Sequence, residues 1–240
     1  MSRIRINKYM SQCGYCSRRE ADRLVAEGSV LVNGVPAVMG QKVEPEDEIT
    51  VEGEVLTAHE EELLIILNKP QGIVCTTSKK DKNNVIDFLH FSKRIYPVGR
   101  LDKDSAGLLL LTNNGQLMDD ILRGRNFHEK EYIVKVHRPI TDSVLSAMEQ
   151  GVPILDTMTR PCRIQRSSTD TFHIILTQGL NRQIRRMCEY FGYRVVTLKR
   201  VRIMNLELGD LPEGQWRFLS EKEIGTLKRL AGEKGGHCEN

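Results

Sequence analysis

The sequence predicts an α+β protein with a small N-terminal module and a larger domain built on a mixed, mostly antiparallel sheet. Three observations carry this. Short apolar or alternating runs outnumber helical patterns, and they lack the regular strand–helix alternation of a doubly wound fold. An acidic stretch over residues 43–62 ends in the polar run Ala58-His59-Glu60-Glu61-Glu62, which reads as a linker. The 240 residues, 40% hydrophobic and 28% charged, have the size and composition of one sizeable globular domain plus a small one.

The first module is expected to span residues 1–57. Ile6, Tyr9 and Met10 fall at helical spacing. Ser17-Arg18-Arg19-Glu20 has the form of a capping box, with the Ser17 hydroxyl capping the third helical N–H and Glu20 reaching back. Ala21, Leu24 and Val25 give that helix its apolar face, and Gly28 stops it. Val30-Leu31-Val32 and Val35 flank Asn33-Gly34, a pair suited to a type I′ hairpin turn. Glu48 to Val51 supplies another short strand.

Past the linker, residues 58–62, the larger domain is expected over 63–232, with 233–240 as a flexible tail. Leu63 to Leu67 reads as a buried strand, punctuated by the turn Asn68-Lys69-Pro70-Gln71-Gly72. A polar loop covers Lys79 to Asn84, and a short helix follows over Val85 to Phe91. Leu108 to Leu111 is an all-apolar strand. Gln116 to Leu122 and Asp142 to Gln150 read as helices, Glu131 to Val136 and Phe172 to Leu176 as strands. Arg182 to Phe191 is a basic helix, and Arg194 to Leu198 a further strand.

The longest apolar runs match buried strands and fall far short of the ~20 residues of a bilayer span. The first residues, Met1-Ser2-Arg3-Ile4-Arg5, hold no apolar secretory region. Six scattered cysteines show no disulfide framework, so a cytoplasmic, reducing setting is expected. Cys13-Gly14-Tyr15-Cys16 lacks the second pair that a zinc site wants, and reads as coincidence.

Net charge is only +3, but it is unevenly spread. Residues 1–23 hold Arg3, Arg5, Lys8, Arg18, Arg19 and Arg23 against two acids, and residues 182–202 hold seven basic residues against Glu189 alone. Two dense basic patches on a near-neutral chain point to a polyanion held at two places. Solvated helix faces are the plainer reading of either patch taken alone.

Three constellations bear on chemistry. Gly99-Arg100-Leu101-Asp102-Lys103-Asp104 sets a carboxylate, Asp102, between two cations just before a core strand. By itself Asp102 also reads as a loop carboxylate satisfied by Arg100 or nearby N–H groups. Asp104 reads mainly as a turn former. The second constellation, Gly179-Leu180-Asn181-Arg182-Gln183-Ile184-Arg185-Arg186-Met187, opens a helix after a strand. Its N–H groups with Arg182, Arg185 and Arg186 suit an anion. The third is His128-Glu129-Lys130-Glu131-Tyr132-Ile133-Val134-Lys135-Val136, in which Tyr132, Val134 and Val136 share a face. Tyr132 is either core or a stacking partner for an extruded base.

Together these motifs resemble the RsuA-type pseudouridine synthases. Gly99 to Asp102 with Leu108 to Leu111, Lys69-Pro70, Lys130 to Tyr132 and Asn181 to Met187 stand in that family's order. They follow a stretch that resembles the S4 RNA-binding module. Gly151 to Leu155 and Arg202 to Asn205 look closest to members acting on the large ribosomal subunit. The resemblance implies a pseudouridine synthase fold and isomerisation of a uridine in ribosomal RNA, 23S first, with 16S RNA or tRNA as alternatives. It implies no cofactor and no metal. It assigns Asp102 as catalytic carboxylate, Tyr132 as the ring that stacks on the flipped base, and Arg185 as the charge partner of Asp102. Arg100 would occupy the vacated stack. RNA contacts are expected from Arg3, Arg5, Lys8, Arg18, Arg19, Lys69, Arg182 and Arg186, and the protein is expected to work as a monomer without a membrane. Two readings stay open beside this one: a non-catalytic RNA-binding assembly factor, and a hydrolytic glycosidase acting on nucleic acid.

Overall fold

The computed structural model describes residues 3–56, 61–78, 81–123 and 127–232. Residues 58–60 of the expected linker, Lys79 and Lys80 of the polar loop and the expected tail 233–240 lie outside these. Contacts divide the chain into two compact units. One holds the described residues of Met1–Leu63 with Ser92–Arg94 and Asn113–Gly115; the other holds the rest.

In the first unit, helices Ile6–Gln12 and Arg18–Ala26 pack on a four-stranded sheet whose inner strands are Val30–Val32 and Ile49–Val51. Ser17 caps the second helix by accepting from the Glu20 N–H at 3.1 Å. The other half of the capping box is not made, because the Glu20 carboxylate takes Arg23, one helical turn on. Asn33 and Gly34 have φ of 52° and 78°, the two positive values a type I′ turn needs. Ile6, Met10, Ala21, Val30, Ile49 and Val51 fill the core.

The second unit is built on a nine-stranded sheet. Its order runs Arg163–Arg166, Thr171–Leu176, Lys130–Val136, Val195–Ile203, Ala106–Thr112, Leu64–Lys69, Trp216–Phe218, with two short strands attached to its flanks. Every pairing is antiparallel except Val195–Ile203 with Ala106–Thr112. The sheet is thus mixed and mostly antiparallel, as expected. Ala106–Thr112 and Leu64–Lys69 are buried along their whole length, which explains the apolar runs Leu108–Leu111 and Leu64–Leu67 within them.

At the parallel seam, Gly107 pairs with Arg200 and has φ +103°. A Cβ there would lie 2.2 Å from the Arg200 carbonyl oxygen, so this approach requires glycine. One core cluster around Val134, Phe172, Ile174 and Met187 backs helices Asp142–Glu149 and Gln183–Tyr190. A second, around Ile66, Leu108, Leu110 and Leu227, backs Gly115–Leu122 and Glu221–Gly232. No helix among the described residues is long and apolar enough to cross a membrane.

Candidate active site

Asp102 lies on the loop that feeds strand Ala106–Thr112. Three hydrogen bonds fix this loop: Ser105 N–H to Asp102 O at 3.0 Å, Gly72 N–H to Lys103 O at 2.7 Å, and Leu101 N–H to Cys75 Sγ at 3.4 Å. Leu101 is buried beneath it, while the side chain of Asp102 stays one-third exposed. A core strand and these bonds hold the carboxylate at the wall of a cleft of about 510 Å³, within the range of small-molecule sites.

The arginines come from the start of helix Gln183–Tyr190. Arg182 caps this helix with φ 50° and ψ 36°, a left-handed conformation uncommon for a side chain of its type. That bend sends its guanidinium back over the Asp102 loop. It donates to both carboxylate oxygens of Asp104 at 3.2 Å and lies 3.7 Å from Asp102 Oδ2. Arg185, buried on the helix, donates through Nη2 to Asp104 O at 2.8 Å and to Ser105 Oγ at 3.3 Å, and its Nε lies 3.4 Å from Asp104 Oδ2.

The expected pairing of Arg185 with Asp102 is therefore corrected: Arg185 meets Asp104, and the arginine beside Asp102 is Arg182. Asp104 likewise does more than shape the turn. Its partial burial works against ionisation, but the Arg182 hydrogen bonds and the charges of Arg185 and Arg182 prevail, and its carboxyl sits below the usual range.

Tyr132 lies on strand Lys130–Val136, half-buried. It packs against the first cluster and also lines the cleft, so core packing and presentation to a ligand coexist. The Arg200 guanidinium carbon is 6.0 Å from its ring centre. Arg100 is exposed at the cleft rim. Arg186 folds back onto Asn181, donating to its carbonyl at 3.1 Å.

Lys69 does not fit its expected role as an RNA contact. It is fully buried at 0% exposure, donating to Pro70 O at 2.7 Å and Ile73 O at 3.0 Å, and burial lowers its amine. Those two carbonyls make it a tie for the turn that follows its strand. In the N-terminal unit Arg5, Arg18 and Arg19 are exposed, Lys8 is half-buried, and Arg3 pairs with Glu44 at 2.6 Å. Sequence reasoning assigned no role to Lys130 and Arg200, which also line the cleft; only the motif around Lys130 pointed near them. Among the described residues, no group of three or more His, Cys, Asp or Glu could hold a metal ion.

The model of the RNA pseudouridylate synthase family matches residues 63–190, and that of the S4 domain matches residues 4–49. The chain is 51% identical over 231 residues to the dual-specificity RNA pseudouridine synthase RluF of Escherichia coli, covering 95% of this chain and 80% of that one. It is 35% identical to the ribosomal large subunit pseudouridine synthase B of Bacillus subtilis, over 95% of this chain and 96% of that one. A solved pseudouridylate synthase aligns with a TM-score of 0.68 at 30% identity, over 93% of this chain and 99% of that one. The family model over residues 63–190, the relatives of 51% and 35% identity and the S4 domain ahead of a cleft that joins Asp102 and Tyr132 place this chain in the RNA pseudouridine synthase family.

Proposed function

We propose that this enzyme isomerises a specific uridine of ribosomal RNA to pseudouridine, with the large-subunit RNA as first substrate and Asp102 as the catalytic carboxylate. The reaction breaks the N1–C1′ bond, turns the base and rejoins it through C5, so the atoms of the nucleotide are conserved. The observation that carries the reading is the convergence of Asp102 and Tyr132 on one cleft rich in cations. The name of the Bacillus relative supports large-subunit RNA, and the dual specificity in the name of the Escherichia relative supports more than one target.

A uridine inside a stem must leave its stack to reach Asp102, at roughly a few kcal/mol. Arg100 at the rim is suited to fill the gap it leaves. Tyr132 offers the flipped ring a face, while Arg182 at the cleft, with Arg186 one turn on, is suited to the flanking phosphates. Arg182 lies close enough to orient Asp102 without enclosing it. Arg185 acts at one remove: it holds Asp104 and Ser105, and through them the loop that carries Asp102. The S4 unit adds a sequence-independent grip through Arg5, Arg18 and Arg19, chiefly on phosphates. The protein acts as a monomer in the cytoplasm, where its RNA is found.

The test is tritium release from 5-tritiated uridine in ribosomal RNA and tRNA, with pseudouridine mapped in both. Parent enzyme should release tritium from large-subunit RNA, and Asp102→Ala should release none while still binding. Equal release by Asp102→Ala would remove the carboxylate from the mechanism; free uracil as product would make the enzyme a hydrolase instead.

A further inference from the structure

Lys130 has a setting unlike that of the other lysines. It opens strand Lys130–Val136 and shares a face with Tyr132. Its ammonium has three donors, yet among the described residues it makes one hydrogen bond, to His128 O at 3.3 Å. Arg200, on the neighbouring strand, is only 2% exposed; its Nε donates to Leu108 O at 2.8 Å, and its Nη2 is buried with no partner among the described residues. Both line the cleft that holds Asp102 and Tyr132. Buried donors without acceptors cost free energy. One such donor on Arg200, next to a part-buried lysine with donors to spare in the cleft that holds Asp102, marks a place where a ligand brings the acceptors.

We infer that Lys130, with Arg200 beside it, receives the carbonyl oxygens of the flipped uracil and takes up the negative charge that the ring gains when its bond to C1′ breaks. This rests on the pseudouridine synthase reading of the cleft. When N1–C1′ breaks, its electron pair stays with the ring and spreads over N1, O2 and O4. The pair returns to C1′ in the new C5–C1′ bond. The C5 proton then leaves, N1 gains one from solvent, and Lys130 keeps its own proton throughout. Whether Asp102 adds to the sugar, adds to the base or removes a sugar proton, the ring carries this charge along the way. Preorganised cations in a site shielded from water are suited to that task.

Burial, with the Arg200 charge adding to it, brings the Lys130 amine down to about 8. The charge that acts on it is Arg200 on its neighbour strand; the other charged groups lining the same cleft are Arg100, Asp102 and Lys103 on the loop before Ala106–Thr112, with Arg182 and Arg123. The imidazole of His128, which burial holds below its ordinary value, completes the set. Lys130 is thus charged at neutral pH and loses that charge at modestly alkaline pH.

The test compares the parent, Lys130→Met and Lys130→Arg in single-turnover tritium release from below to well above pH 8, with RNA affinity measured alongside. Lys130→Met should lower the rate constant about 10²-fold or more with RNA affinity unchanged. The parent rate should fall as pH rises through about 8, and Lys130→Arg, which cannot titrate there, should lack that fall. Turnover of Lys130→Met at the parent rate overturns the inference. So does an alkaline fall in Lys130→Arg like that of the parent, which decides the matter if Lys130→Met does not fold. An inert parent would instead sink the proposed function, so the two failures are distinguishable.

Discussion

Replacing Lys130 by methionine is expected to stabilise the unit that carries the large sheet. Its amine falls from an ordinary 10.5 to about 8 because burial, and then Arg200, disfavour the charge. At about 1.36 kcal/mol per pH unit, carrying that charge costs the folded state roughly 3 kcal/mol at neutral pH. Methionine keeps the apolar stem in place. It gives up the 3.3 Å bond to His128 O, worth about 1 kcal/mol. The net gain is on the order of 2 kcal/mol. The pH dependence has a fixed sign. Between about 8 and 10.5 the unfolded chain keeps a proton that the folded chain has lost, so parent stability rises with pH across that window. The lead of the variant should shrink over the same window. Urea unfolding followed by Trp216 fluorescence reads this unit alone, since Trp216 is the chain's single tryptophan and sits on the strand beside Leu64–Lys69. A variant less stable than the parent at neutral pH, or a lead that stays constant with pH, would refute the claim that Lys130 is a disfavoured charge. A confirmed lead, together with slow turnover, would mark Lys130 as a residue kept for function at the expense of stability.

Two further substitutions test the scaffold. Gly107→Ala places a Cβ 2.2 Å from Arg200 O and 2.7 Å from Arg200 N; backbone cannot yield, so a loss on the order of 4 kcal/mol or more is expected in the same unfolding assay. Gly209→Ala is its control in the same unit, at φ +54° but with nothing within 4 Å, and should cost about 1 kcal/mol. Asp104→Asn removes the charge that holds Arg182 and the buried Arg185. Because Asp104 is half exposed, solvent screening limits the expected loss to about 1–2 kcal/mol. Asp102→Asn should abolish tritium release while changing stability by less than about 0.5 kcal/mol. Equal stability losses in the two variants would refute the division of roles between these carboxylates.

Much of the fold was legible because burial writes itself into sequence. The apolar runs Leu108–Leu111 and Leu64–Leu67 reflect strands whose two faces are both covered. Strands Arg163–Arg166 and Trp216–Phe218 escaped notice because they are short edges, the first largely polar and the second only three residues long, with little apolar periodicity to detect. Asp102 and Tyr132 were legible through their motifs. The partner of Asp102 was not: Arg182 and Arg185 are three residues apart at one helix start, and which carboxylate each reaches depends on a left-handed turn at Arg182 that its residue type does not announce. Lys69 misled for a related reason. Fully buried lysines are rare, and only tertiary structure brings the Pro70 and Ile73 carbonyls to its ammonium.

The corrected pairing bears on how the site works. A carboxylate that must attack or take a proton needs its lone pairs available, so a tight arginine fork on Asp102 would hinder it. The structure avoids this by setting a second carboxylate two residues on. Asp104 takes both guanidiniums by side chain, and its carbonyl takes a further bond from Arg185. Asp102 is left with one arginine at 3.7 Å, too long for a firm hydrogen bond but close enough for charge to act. On the proposed assignment, the cations near Asp102 are thereby held chiefly by Asp104, and a substrate arriving in the cleft meets only one long ion pair at the Asp102 carboxylate.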